Sequence, residues 1–88
     1  MDIINTYDVV SYNKYDYDKF TNRMILYDCT IYYMNGKRHR DNDLPAIIYS
    51  NGVQYWYING KRHRDNDLPA VIYPDGSQKW WINGIFIR

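Results

Sequence analysis

Residues 35–46 read NGKRHRDNDLPA, and residues 59–70 repeat the same twelve letters. The copies start at positions 35 and 59, 24 residues apart, and a third Asn-Gly follows after another 24, at Asn83-Gly84. A fixed period of this size is typical of repeat proteins, in which each unit buries its apolar face only against its neighbours. The sequence therefore predicts a stack of similar units, which is better suited to presenting a surface than to building one catalytic pocket.

Composition limits the possible classes of protein. The chain has 88 residues and a net charge of +1, so it forms one domain with a thin core and lacks the strongly basic balance of a dedicated nucleic-acid binder. Cys29 is the single cysteine, which fits a reducing compartment. The N-terminus has no basic stretch followed by a long apolar run, and the longest apolar run is residues 24–27. We therefore expect an intracellular protein that is not secreted.

Each unit alternates β-rich runs with turn dipeptides. Asn51-Gly52 and Asp75-Gly76 each separate two runs of β-branched and aromatic residues, and such dipeptides are strong hairpin signals. A more divergent unit precedes them, with Asp28-Cys29 in the place of its turn. The sequence predicts an all-β fold of three antiparallel hairpins (23–34, 45–58 and 69–82), which form an elongated twisted sheet. The hairpins belong to a repeat domain (23–88), preceded by an irregular N-terminal arm or cap (1–22).

A two-residue turn at Asn51-Gly52 would pair Ile47 with Trp56 and Ile48 with Tyr55. Because side chains alternate along a strand, one face would carry Ile47, Tyr49, Gln54, Trp56 and Ile58. We expect this face, with Trp80 in the next hairpin, to form the core. The opposite face would carry Tyr55, Tyr57 and, one unit later, Trp81.

The aromatic content predicts an interface. Eleven tyrosines, three tryptophans and two phenylalanines are more than a thin single sheet can bury, and large exposed aromatic patches usually mark contacts with other proteins. Open sheet edges favour association as well, so a homodimer is expected. In the alternative, the N-terminal residues 1–22 fold back over the second face. The predicted interface residues are Tyr55, Tyr57, Trp81, Tyr12, Tyr15 and Tyr17.

The unit WYINGKRHRDNDLPAVI at residues 56–72 resembles the MORN-type repeat, in the variant with the pattern W-x-x-N-G-x-x-H-R-x-x-G-P-A. That variant is found in large DNA viruses of amoebae, Marseillevirus-like ones especially, and in some bacteria. The resemblance covers about residues 23–84 and departs from the pattern at Leu44 and Leu68, where the family usually has glycine. It implies stacked hairpins and a role in protein–protein interaction or scaffolding, with a virion or virus factory as the setting.

The two polar segments of the repeat, residues 37–43 and 61–67, allow two interpretations. With aromatic residues nearby, their basic side chains could contact nucleic-acid phosphates, although the aspartates that follow nearly neutralise them. The phosphate-contact candidates are Lys37, Arg38, Arg40, Lys61, Arg62 and Arg64. In the favoured interpretation, the segments are structural loops held by pairs of polar side chains, with the candidates His39, Arg40, Asp43, His63, Arg64 and Asp67.

No residue set predicts catalysis, a metal site or a cofactor. Two histidines and one distant cysteine are a poor supply of zinc ligands, and reactive residue types recur once per unit, as structural residues would. Cys29 is expected to be an exposed thiol in a hairpin turn. The expected partners are a second copy of the chain and other proteins, with nucleic acid as the weaker alternative and no membrane.

Overall fold

A computed structural model describes residues 17–18 and 22–88 of the chain. This part of the chain is all-β, as the sequence predicts, and its strands pair antiparallel. None of the described residues belongs to a helix that could cross a membrane. The strands are β1 (Tyr17–Asp18), β2 (Arg23–Ile25), β3 (Cys29–Met34), β4 (Lys37–Arg38), β5 (Ile47–Tyr49), β6 (Gln54–Tyr55), β7 (Tyr57–Ile58), β8 (Lys61–Arg62), β9 (Val71–Ile72), β10 (Gln78–Lys79), β11 (Trp81–Ile82) and β12 (Ile85–Phe86).

The main sheet follows the order β1-β2-β3-β5-β6-β9-β10, and β4 extends it by pairing with β3. Its hairpins β2–β3, β5–β6 and β9–β10 lie within the predicted ranges 23–34, 45–58 and 69–82. Within the predicted arm, β1 pairs with β2, placing Tyr17 opposite Met24. Tyr12 and Tyr15, predicted as interface residues, lie outside the described residues.

The predicted register of the second hairpin is wrong by one residue. Ile47 pairs with Tyr55 and Ile48 with Gln54. The cause is a three-residue loop, residues 50–52, in which the Tyr49 N–H donates to the Val53 carbonyl at 2.9 Å and Gly52 has a φ of +99°. One extra loop residue moves every later side chain to the other face of the sheet.

The third hairpin shows the same shift, with Val71 opposite Lys79 and Ile72 opposite Gln78. Its turn is held by Asp75, whose Oδ1 accepts a hydrogen bond from the Ser77 N–H at 2.9 Å. The Ser77 hydroxyl donates to the same oxygen at 2.7 Å. The hydroxyl bond, followed by the N–H bond, holds the pKa of Asp75 below its usual value. An aspartate whose carboxylate accepts the N–H of the residue two positions later therefore favours the three-residue loop, residues 74–76, in this unit.

The shifted register changes which aromatic residues pack in the core. Ile31, Ile47, Tyr55 and Val71 lie side by side on one face across four adjacent strands. Tyr55 and Tyr57 are therefore half-buried against the cluster of Cys29, Ile31 and Ile47, and do not lie on the face opposite the core as predicted. Trp56 points to the other face. It is nonetheless only 6% exposed, because Asp43 of the preceding polar segment and Arg64 of the following one cover it.

Cys29 is not in a turn. The first turn is Tyr27-Asp28, closed by a hydrogen bond of 2.8 Å from the Leu26 N–H to the Cys29 carbonyl. Cys29 is the first residue of β3 and is only 9% exposed, so the prediction of an exposed thiol is wrong. Burial raises the pKa of this thiol.

A second series of short hairpins uses the Asn-Gly dipeptides. Asn59 and Gly60 have φ values of 50° and 83°, the two positive angles of a type I′ turn, and they join β7 to β8. Asn35-Gly36 joins β3 to β4, and Asn83-Gly84 joins β11 to β12, with similar angles. The residues Lys37–Arg38 and Lys61–Arg62 are thus strand residues rather than parts of a loop.

These short hairpins stack on one another. The Gly60 N–H donates to the Arg38 carbonyl and the Gly84 N–H to the Arg62 carbonyl, both at 2.8 Å. A Cβ on Gly60 would lie in ordinary van der Waals contact with Lys37, 3.5 Å from its Cβ, so the positive φ of 83° and not the space favours glycine there. The stack adds a second column of backbone contacts beside the main sheet.

The polar segments turn at residues that tolerate positive φ. Asn42 and Asp43 have φ values of 65° and 57°, and Asn66 and Asp67 have 64° and 56°. Short polar side chains adopt this conformation more readily than other non-glycine residues. A glycine at the positions of Leu44 and Leu68 is therefore not needed for these turns.

Candidate protein-interaction site

His39 binds the next unit. It is 7% exposed, and its Nδ1 accepts a hydrogen bond of 2.9 Å from the Asn59 N–H. Because Nδ1 is an acceptor, the proton lies on Nε2, which donates to Asp41 Oδ1 at 2.7 Å. The second copy repeats this arrangement with His63, Asp65 and Asn83.

Arg64 binds the preceding unit. Its Nε and Nη2 donate to the two carboxylate oxygens of Asp43 at 2.8 and 3.2 Å, and its Nη1 donates to the Pro69 carbonyl at 3.0 Å. Its guanidinium also lies 4.0 Å from the Trp56 ring centre. The hydrogen bonds from Arg64 hold the pKa of Asp43 below its usual value. In the following unit, Arg88 lies 4.5 Å from the Trp80 ring centre and donates a single hydrogen bond, from Nη2, to Asp67 Oδ1 at 3.0 Å.

The six basic side chains predicted to contact phosphate lie in different surroundings. Lys37, Arg38 and Lys61 are exposed. Arg40 is engaged like Arg64, since it lies 3.8 Å from the Tyr32 ring centre and its Nη1 donates to the Pro45 carbonyl at 3.2 Å. Arg62 is half-buried among aromatic rings. The six side chains are therefore not brought together as one anion site.

A groove of about 260 Å³ lies between the two polar segments, with Trp56 and Arg64 in its lining. Its acidic side chains are engaged with neighbouring cationic or imidazole groups, as Asp43 with Arg64 and Asp41 with His39. Among the described residues there is no group of three side chains that could hold a metal ion. The arrangement is that of polar side chains fixing a loop.

Three predicted interface residues converge on Arg62. The carbon of its guanidinium lies 4.7 Å from the ring centre of Tyr55, 5.5 Å from that of Tyr57 and 4.7 Å from that of Trp81. Its Nη2 also donates to the Tyr57 hydroxyl at 3.0 Å. These four half-buried side chains are called the Arg62 cluster below. The prediction missed Arg62 as a member, although a type I′ turn at Asn59-Gly60 pairs it with Tyr57.

The Arg62 cluster contains two polar atoms without a partner. Arg62 Nε and Trp81 Nε1 are buried, and among the described residues neither has a hydrogen-bond acceptor. The other two tryptophans differ, because Trp56 Nε1 donates to the Asp43 carbonyl at 3.1 Å and Trp80 Nε1 to the Asp67 carbonyl at 2.9 Å. An unpaired buried donor costs about 1–3 kcal/mol, so the cluster is not optimised as a closed core.

No family model matches the chain, and neither a curated protein nor a solved structure matches it. The functional interpretation therefore rests on the residues and geometry of the chain itself, and the resemblance to MORN-type repeats stays a prediction.

Proposed function

We propose that this chain is a non-enzymatic, MORN-like repeat module that binds another protein through the Arg62 cluster. The observation that carries the proposal is the convergence of Tyr55, Tyr57 and Trp81 on one guanidinium at a half-buried surface. Tyrosine, tryptophan and arginine are the residue types that most often dominate the binding energy of protein interfaces. A cluster of all three types suits an anchor for a partner protein.

The rigidity of the surroundings supports this role. Tyr57 and Arg62 lie opposite each other in the β7–β8 hairpin, and Trp81 lies in the hairpin stacked on it. Side chains held on paired strands lose little conformational entropy when a partner binds, which increases affinity.

The proposed setting follows from the resemblance rather than from the site. A repeat module of this type in a large DNA virus of amoebae would act inside the host cell, in the virus factory or packaged in the virion. Binding to other proteins through one rigid face is a scaffolding role, and it needs no cofactor.

A capture experiment tests the proposed function. The immobilised chain and its Trp81→Ala variant are compared for the proteins they retain from infected host cells, with Trp80→Phe as the control on the opposite face. A lost contact of about 2 kcal/mol or more lowers retention of a true partner roughly 30-fold in the Trp81→Ala variant alone. Equal retention by all three chains would contradict the proposal, provided that the variants melt cooperatively.

Nucleic-acid binding is the second candidate, favoured by the exposure of Lys37, Arg38 and Lys61. Its test is the fluorescence anisotropy of labelled duplex DNA at low and physiological salt. Binding through these groups would weaken steeply as salt increases, and would weaken further in an Arg38→Ala variant. Absence of binding at low salt, where charge contacts are strongest, would exclude it.

A further inference from the structure

Two arginines of successive repeats lie against one tyrosine ring. The guanidinium carbon of Arg62 is 5.5 Å from the ring centre of Tyr57, and that of Arg38 is 5.8 Å from the same centre. Arg62 lies opposite Tyr57 in the β7–β8 hairpin. Arg38 belongs to β4, which stacks on that hairpin through the bond from the Gly60 N–H to the Arg38 carbonyl. The stacking of the short hairpins therefore brings the same residue of two repeats to one ring.

The lysines that precede these arginines lie on the other face of the short hairpins. Lys37 and Lys61 are the first residues of β4 and β8, and successive side chains of a strand point in opposite directions. Both lysines are exposed, as is Arg38. The face that carries Tyr57 therefore holds the charges of the two arginines, without those of the two lysines.

The repeat provides no carboxylate for Arg38 and Arg62. The four aspartates of the polar segments bind elsewhere: Asp41 to His39, Asp65 to His63, Asp43 to Arg64 and Asp67 to Arg88. Within residues 22–88, neither Arg38 nor Arg62 forms an ion pair, and the hydrogen bond that Arg62 donates goes to the neutral Tyr57 hydroxyl. The charges of the repeat nearly balance in the sequence, but in space the negative ones lie at the polar segments and this face stays positive.

Elsewhere in the chain, an arginine that lies on an aromatic ring binds a carboxylate. Arg64 lies 4.0 Å from the Trp56 ring centre and binds both carboxylate oxygens of Asp43. Arg88 is likewise placed on a tryptophan ring and binds Asp67. In both pairs the aspartate comes from the preceding polar segment. A guanidinium held on a ring keeps its N–H groups directed sideways, in the planar arrangement that matches a carboxylate.

We propose that Arg38 and Arg62 bind acidic side chains of the partner protein, as Arg64 binds Asp43. The inference rests on the proposed function, because Arg62 and Tyr57 belong to the Arg62 cluster, and it adds the chemistry of the partner. Carboxylates at this face would offset the repulsion between the two guanidinium groups and accept charge-assisted hydrogen bonds from them. The aromatic rings beside them would contact apolar atoms of the same partner.

The number of cations on this face favours a protein over nucleic acid. Proteins that hold duplex DNA by its backbone make about 6–10 phosphate contacts, whereas this face provides two arginines. The aromatic rings are also occupied. Arg62 lies over Tyr55 and Trp81 at 4.7 Å from each ring centre, and the Phe86 ring meets Trp81 edge-on at 5.4 Å. Rings covered in this way are not free to stack on bases.

The test uses a fluorescently labelled hexaglutamate peptide titrated with the full chain. Fluorescence anisotropy is measured at about 20 mM and about 150 mM salt. The parent should bind the peptide at low salt, should bind it less tightly at the higher salt, and should not bind a hexaglutamine peptide. Arg38→Gln should lower the affinity roughly tenfold, because one charge-assisted contact is lost.

The two lysines provide a matched control. Lys37→Gln and Lys61→Gln remove the same charge from the same strands on the opposite face, so each should lower the affinity by less than about threefold. Arg38→Lys is the second test variant, because it keeps the charge and removes the planar pair of N–H groups. It should also bind the peptide less tightly than the parent. All of these substitutions except Lys61→Gln lie in β4, at exposed positions, and Lys61 is exposed as well.

Three results would overturn the inference. They are no binding of hexaglutamate at low salt, equal losses in the arginine and lysine variants, and tighter binding of labelled hexathymidylate than of hexaglutamate through the same arginines. The last result would assign the two arginines to nucleic acid.

The capture experiment with Trp81→Ala judges the proposed function separately. Proteins that are retained through Trp81 but equally well by Arg38→Gln would overturn the inference and leave the proposed function standing. Binding of hexaglutamate through Arg38, with no protein lost from the Trp81→Ala variant, would contradict the proposed function and support the two arginines as a site for carboxylates.

Discussion

Replacement of Trp56 by alanine tests how this thin fold obtains its stability. Trp56 is 6% exposed, although it lies on the face opposite the Ile31–Ile47 cluster. Its indole donates to the Asp43 carbonyl at 3.1 Å, and its ring lies beneath the Arg64 guanidinium at 4.0 Å. The Trp56 side chain thus connects the sheet to the polar segment before it, through Asp43, and to the polar segment after it, through Arg64.

The magnitude follows from the buried area. Burial of about 200 Å² at about 25 cal/mol per Å² is worth about 5 kcal/mol. The alanine retains part of that burial, and measured large-to-small substitutions of this kind cost about 3–5 kcal/mol. A domain of this size has a total free energy of unfolding of about 5–15 kcal/mol, so the substitution removes a large part of the stability.

The assay is urea unfolding followed by circular dichroism, with Trp80→Ala as the matched control. Trp80 makes the same contacts, with the Asp67 carbonyl at 2.9 Å and the Arg88 guanidinium at 4.5 Å, but it is only half-buried. Trp80→Ala should therefore cost about half as much. If Trp56→Ala is unfolded in water, Trp56→Phe provides a measurable intermediate case. A Trp56→Ala cost below about 1 kcal/mol, or equal costs at both positions, would refute the reasoning.

Three further predictions concern the links between units. His39→Phe should lower the free energy of unfolding by about 1–3 kcal/mol in urea titration, because the Asn59 N–H loses its acceptor, and an unchanged midpoint would contradict this. Gly60→Ala should cost about 1–2 kcal/mol in the same assay, because φ is +83° there, and an unaltered stability would exclude the type I′ turn. Since the folded-state pKa of Asp43 lies below its ordinary value of 3.8, the bond from Arg64 stabilises the fold above that pH and is lost as pH falls further. Asp43→Asn should therefore reduce the loss of stability below about pH 4 by about 0.2–1 kcal/mol, and parallel pH profiles would refute it.

The sequence predicts the fold class and the positions of the long hairpins because these depend on local patterns. Runs of β-branched residues around Asn51-Gly52 and Asp75-Gly76 are sufficient to place strands on either side. The register depends on one residue of loop length, which is decided by side-chain hydrogen bonds such as that from the Val53 N–H to Asn51 Oδ1 at 3.1 Å. The dipeptide Asn51-Gly52 alone does not reveal such bonds. The predicted core face, with Trp56 beside Ile47, is therefore wrong.

The candidate site, too, is predicted only in part from the sequence. Tyr55, Tyr57 and Trp81 were grouped by sequence, and the structure does bring them together, but around a residue assigned to a loop. The sequence predicts a loop from Asn59-Gly60 onwards because Lys61 and Arg62 are polar. Polar strand residues in a short exposed hairpin carry no hydrophobic alternation, so the periodic signal for a strand is missing there. The type I′ preference of Asn-Gly was the available clue.

The bonds between units have a consequence for how such a chain can change in evolution. Every link described here joins residues one period apart or nearly so, as His39 with Asn59 and Asp43 with Arg64. Duplication or loss of a whole 24-residue segment preserves all of these links. The identical residues 35–46 and 59–70 are what a duplication of this kind would leave behind. A gene encoding this chain can therefore lengthen or shorten its product in steps of one unit, with the contacts between the remaining units unchanged.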